Sequence, residues 1–170
     1  MADSATRQRA RPAPHAEPGP EATAAGTRWL GVGGTALAAV GVGLSTYLTI
    51  AHYTSATTLA CPEHGTIDCA KVTTSSYAVQ HGVPLVVLGL VFFVTSLALH
   101  LPPLWASTAR WVRGARLAVA ATGAASAVWL VWVELFRLDA ICLYCTGVHI
   151  VAVALFVLTG FGTAVTALDD

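Results

Sequence analysis

Residues 140–168 read AICLYCTGVHIVAVALFVLTGFGTAVTAL, a Cys142-Leu-Tyr-Cys145 motif opening an apolar run without a single Asp, Glu, Lys or Arg. About 20 such residues carry an α-helix across the hydrocarbon of a bilayer, so lipid must be part of this protein's solvent. Three further runs share the character: Trp29–Ile50, Val83–Leu101 and Leu117–Val133, the last bounded by Arg116 and Glu134. Continuous apolar text lacks the alternation of a membrane barrel strand, and helices satisfy their own backbone in lipid. The sequence predicts an all-α integral membrane protein. It predicts a four-transmembrane-helix bundle (about 29–51, 83–101, 114–137 and 141–166) with an extracytoplasmic cap loop, 52–82, between helices one and two.

Composition agrees. Hydrophobic residues make up 55% of the 170 and charged residues 11%, against roughly a quarter charged in soluble domains. Zero formal net charge and no basic block exclude nucleic acid as a partner. Residues 1–28 hold four of the eight prolines and no apolar periodicity, which predicts a disordered tail ahead of one membrane domain, 29–168. The first apolar run is too long for a signal-peptide core, so an uncleaved helix is expected. Arg7, Arg9, Arg11, Arg28, Arg110, Arg113 and Arg116 fall on one side of this topology, and only Lys71 and Arg137 on the other. The positive-inside rule then puts both termini in the cytoplasm. All four cysteines collect on the outer, oxidising side.

Two cysteine pairs carry the chemistry. Cys142 and Cys145, three apart at a helix start, lie on nearly one face and within reach of a disulfide. Unpaired amides and the positive dipole end stabilise thiolate there. Cys61 and Cys69 enclose the polar text Pro-Glu-His-Gly-Thr-Ile-Asp. They permit a loop-closing disulfide whose sulfurs exchange through mixed disulfides, or a simple staple for the cap. A short helix is expected near Thr74 to Gln80. Zinc binding by the thiols and His64 is the metal alternative, and a membrane metal-binding or transport protein the rival function. Haem attachment is disfavoured because Thr146, not His, follows Cys145. Glu134, Arg137 and Asp139 cluster at the outer end of helix three; Glu134 and Arg137, three apart, can pair on one helix face, and the cluster reads as an interface anchor or, alternatively, as a proton-delivery group.

A pair eight apart, a serine shortly after it, the Gly82-Val-Pro84 start of helix two and a CxxC opening helix four resemble the vitamin K epoxide reductase family over roughly residues 29–166. The resemblance implies a quinone-dependent disulfide-generating oxidoreductase with a lipid quinone, menaquinone or ubiquinone, as electron acceptor and no metal. It implies a separate thioredoxin-fold (DsbA-like) extracytoplasmic partner, because the chain reaches Asp170 without a fused domain of that fold. Cys145 corresponds to the cysteine beside the quinone, Cys142 to its disulfide mate, Cys69 to the shuttle and Cys61 to the contact with the partner. Ser75, Trp132 and His149 are the candidate quinone-binding residues. Ser75 has the plainer alternative of a local turn bond, and His149 stands where vertebrate members carry tyrosine. A disulfide bond protein B-type oxidase has the reverse cysteine order. One Lys against eight Arg, with abundant Ala, Gly and Val, points to a GC-rich bacterial genome and so to a bacterial cytoplasmic membrane.

Overall fold

The computed structural model describes residues 20–54, 59–62, 64–107 and 109–168; of the predicted disordered tail, 1–28, residues 1–19 lie outside them and residues 20–28 are helical. The chain forms α1 (Pro20–Thr54), a short α2 (Cys69–Thr73), a 3-10 turn (Ser76–Ala78) and a small hairpin, β1 (Val79–Gln80) and β2 (Val83–Pro84). It continues into α3 (Leu85–His100), α4 (Pro102–Trp105), α5 (Arg110–Val133), a π turn (Glu134–Leu138) and α6 (Leu143–Leu168). Among the described residues, three stretches are long and apolar enough to cross a membrane: Arg28–Thr54, Arg110–Leu138 and Leu143–Val165. α3 is as apolar but has 16 residues, about 24 Å at the α-helical rise.

α1 begins at Pro20, ahead of the Trp29 predicted. Proline is pre-organised for a helix's first position, and the Ala-rich text after it favours helix. The expected helix near Thr74 to Gln80 is displaced. Asp68 accepts from the Lys71 amide at 2.8 Å and starts α2 early, whereas Ser75 is extended and breaks the helix before the 3-10 turn. His81 and Gly82, at φ 52° and 83°, make the two-residue turn between β1 and β2; positive φ at both central positions matches the strand twist.

The middle of the bundle is a close apolar contact among Ala38, Phe93, Ala127, Val151, Ala152 and Leu155. Small residues set its tightness: a Cβ on Gly41 would collide with the Phe93 ring, and one on Gly123 with Phe92. At the end where α3 runs into α4, the buried polar groups are paired. His100 Nδ1 donates to the Ser96 carbonyl at 2.7 Å, and Nε2 meets the Thr159 hydroxyl at 3.1 Å. Arg116 donates to the Leu99 and Leu104 carbonyls at 3.2 and 2.8 Å, and its guanidinium lies 4.2 Å from the Trp105 ring centre. These carbonyls end helices, where a cation is favourable. The opposite end, where α5 closes and α6 begins, carries the cap and all four cysteines.

Candidate functional site

Cys61 and Cys69 form a disulfide with Cα atoms 6.2 Å apart. The cap strand beyond Cys61 pairs with the residue before the CxxC motif: the Ile141 amide donates to Thr66 O at 2.8 Å, and the Asp68 amide to Ile141 O at 3.1 Å. That pairing sets the register of the two cysteine pairs. Cys69, 1% exposed, and Cys142, 0% exposed, fall in one apolar cluster with Leu48, Ala51 and Leu59. Cys61 is only partly buried. Its neighbour Ala60 is held from two helices, since the Ala60 amide donates to Tyr47 Oη at 3.3 Å and Tyr144 Oη donates to Ala60 O at 3.2 Å. Tyr144, inside the CxxC motif, therefore ties the cap to α6 as well as spacing the cysteines.

Cys142 directly precedes α6, and its sulfur accepts the Cys145 amide at 3.2 Å. A serine or aspartate oxygen caps a helix in the same way. The Cys145 side chain also hydrogen-bonds to the Cys142 sulfur and is the largest influence holding this thiol below its ordinary pKa, against burial and the Glu134 charge. Both motif cysteines are free thiols. Low-pKa thiolate is the nucleophilic form.

Cys145 opens on a cavity between the helices and the cap, with about 690 Å³ of empty space counting its mouth. Its walls are mostly apolar, including Leu48, Val86, Leu130 and Val148, with Ser45, Ser75, Glu134 and His149 as polar points. The cavity brings together three residues predicted from sequence, Cys145, Ser75 and His149. Ser75 keeps its local turn bond, its hydroxyl donating to Val72 O at 2.8 Å.

Trp132 is not in the cavity wall, contrary to the sequence reading. It faces out from α5, 39% exposed, stacked on Trp129 with ring centres 5.2 Å apart and beneath the Arg137 guanidinium. Glu134 and Arg137 do not pair either. The π turn alters their relative direction, so Glu134 turns inward, 5% exposed, and accepts the Cys142 amide at 3.4 Å. π turns commonly re-aim side chains at functional sites.

Two residues of this site escaped the sequence reading in their present role, Glu134 beneath Cys142 and Ser45 on α1. An acid eight residues before the motif was the visible signal for the first; nothing in the sequence marks the second. Ser45 Oγ and His149 Nδ1 are buried without a hydrogen-bond partner. Buried polar atoms are normally paired, so the cavity fits an apolar ring bearing polar oxygen atoms, as a quinone does. Among the described residues, no group of three His, Cys, Asp or Glu side chains is arranged to hold a metal ion.

The model of the Vitamin K epoxide reductase family matches residues 34–160. No curated protein matches the chain. The chain belongs to the vitamin K epoxide reductase family, a family of oxidoreductases acting on disulfides and quinones, and is a membrane thiol-disulfide oxidoreductase.

Proposed function

We propose that this member of the vitamin K epoxide reductase family reoxidises an extracytoplasmic thioredoxin-fold protein and passes the electrons to a lipid quinone, supporting disulfide formation in exported proteins. The backbone pairing of residues 66–68 with Ile141 carries this reading. It brings Cys69 and Cys142 into one apolar cluster, and Cys145 lines the adjoining cavity.

The partner's thiolate attacks Cys61, and its second thiol resolves the mixed disulfide. The partner leaves oxidised, with Cys61 and Cys69 reduced by two electrons. Cys69 thiolate attacks Cys142 of a Cys142–Cys145 disulfide, and Cys145 departs as thiolate. Cys61 then attacks Cys69, restoring the cap disulfide and releasing Cys142. The bonded cap pair and free motif pair correspond to this stage.

A bound quinone, menaquinone or ubiquinone, accepts two electrons and two protons. Cys142 and Cys145 supply both as their disulfide re-forms. Glu134 lines the cavity and accepts the Cys142 amide, which supports its carrying one of these protons. Ser75 and His149 offer polar contacts at the cavity wall. The wider reading treats α3 as a fourth crossing, the termini as cytoplasmic, the cysteines as outside in a bacterial cytoplasmic membrane, and residues ahead of the first crossing as a tail.

The test is quinone reduction in membranes by a reduced thioredoxin-fold protein. Cys145→Ser should abolish it. Cys61→Ser should block oxidation of the protein partner while a small dithiol still feeds quinone reduction. A Cys145→Ser variant reducing quinone at the normal rate would refute the proposal.

A further inference from the structure

Ser45 lies in the C-terminal third of α1, 2% exposed, and its hydroxyl has no partner. A serine in a helix ordinarily donates to the carbonyl four residues back. Three threonines of the same helix do so: Thr35 to Gly31 at 2.9 Å, Thr49 to Ser45 at 2.7 Å and Thr54 to Ile50 at 2.8 Å. Ser45 instead lines the cavity that Cys145 opens on.

The space over this hydroxyl is kept by Gly89 on α3, another lining residue. A Cβ built there would lie 3.7 Å from Ser45 Oγ, its nearest neighbour. From α6, His149 Nδ1 is also buried and unpaired on the same cavity, with the residue 8% exposed. Three helices thus frame a place with two unmet hydrogen-bonding groups and apolar walls. Their complement is a flat, largely apolar ring with an oxygen at its edge.

We infer that Ser45 is a ligand-binding residue of this cavity, donating its hydroxyl proton to one ring carbonyl of the quinone alongside His149. This rests on the quinone reading above. A hydroxyl both donates and accepts, so Ser45 can donate to a carbonyl and accept from the hydroxyl that replaces it on reduction. It holds both redox forms without moving a helix.

The experiment uses the purified full chain in detergent, with short-chain ubiquinone and short-chain menaquinone as probes. Thermal unfolding is followed with and without each probe, and quinone reduction is driven by a small dithiol. Ser45→Ala removes an unpaired buried hydroxyl, so without quinone its melting temperature should equal or exceed that of the unaltered protein. Its stabilisation by quinone should shrink, and KM for quinone should rise about tenfold, more than kcat falls. Gly89→Ala meets Ser45 Oγ at ordinary contact distance, so it should fold and likewise lose quinone stabilisation.

A Ser45→Ala variant that melts lower without quinone, yet keeps the full quinone shift and KM, makes the serine structural and overturns the inference alone. An unaltered protein that neither binds nor reduces either probe overturns the quinone reading and this inference together.

Discussion

His100 and His149 are both buried histidines on apolar helices, at opposite ends of one bundle, and their surroundings differ. His100 engages both ring nitrogens, stacks on Trp105 and has Gly34 pressed against it. His149 leaves Nδ1 unpaired beside an open cavity. The same contrast separates Arg116, which closes helix ends by bonding their carbonyls, from Glu134, whose carboxylate makes a 3.4 Å contact with the Cys142 amide. Burial alone does not identify a functional polar group. Pairing does: the far end is a satisfied seal, and the cysteine end keeps unmet hydrogen-bonding capacity next to reactive thiols.

Exchanging residues between these classes should break the contrast if it is wrong. The largest effect is expected at Glu134. Glu134→Gln keeps an acceptor for the Cys142 amide but cannot carry a proton, so kcat for quinone reduction should fall by about 10²–10³-fold. The melting temperature should barely move. Arg116→Met should do the opposite: two helix-end carbonyls lose their donor, at a cost of about 2–3 kcal/mol in unfolding free energy, with KM for quinone unchanged.

Glycines sharpen the comparison further. Gly34→Ala drives a Cβ into His100 and should destabilise by about 1–3 kcal/mol. Gly43→Ala meets nothing within 4 Å, so the helix gains about 0.5–1 kcal/mol from the lost backbone freedom of glycine. Denaturation in detergent measures both. The smallest effect is in titration. The Cys145 hydrogen bond holds the Cys142 pKa below the ordinary thiol value, so its thiolate persists to lower pH than a free cysteine's. Cys145→Ala should move the thiolate absorbance profile of Cys142 to higher pH.

The apolar runs were legible because desolvation is a property of composition, and any 20-residue stretch without charge declares it. The cysteine pairs were legible because thiols are a costly way to fill an apolar site. The bridge joining Thr66 and Asp68 to Ile141 was not, since it depends on chain segments far apart in sequence. Glu134 was expected to meet Arg137 because helical spacing was assumed, and a π turn sets aside that spacing. Trp132 was a candidate pocket residue, yet it stacks outward on Trp129, a side-chain direction that sequence does not show. Ser45 could not be singled out, because its significance is a hydrogen bond it does not make.

The cap and the bundle meet in one apolar cluster that holds both Cys69 and Cys142, and the proposed relay passes between these two thiols. Cys61→Ser together with Cys145→Ser leaves only those two thiols. After mild oxidation of the membrane-embedded double variant, peptide mapping under non-reducing conditions should find Cys69–Cys142 disulfide in most molecules. If both thiols stay free, while the unaltered protein still reduces quinone, electrons take another route and the relay described here is wrong.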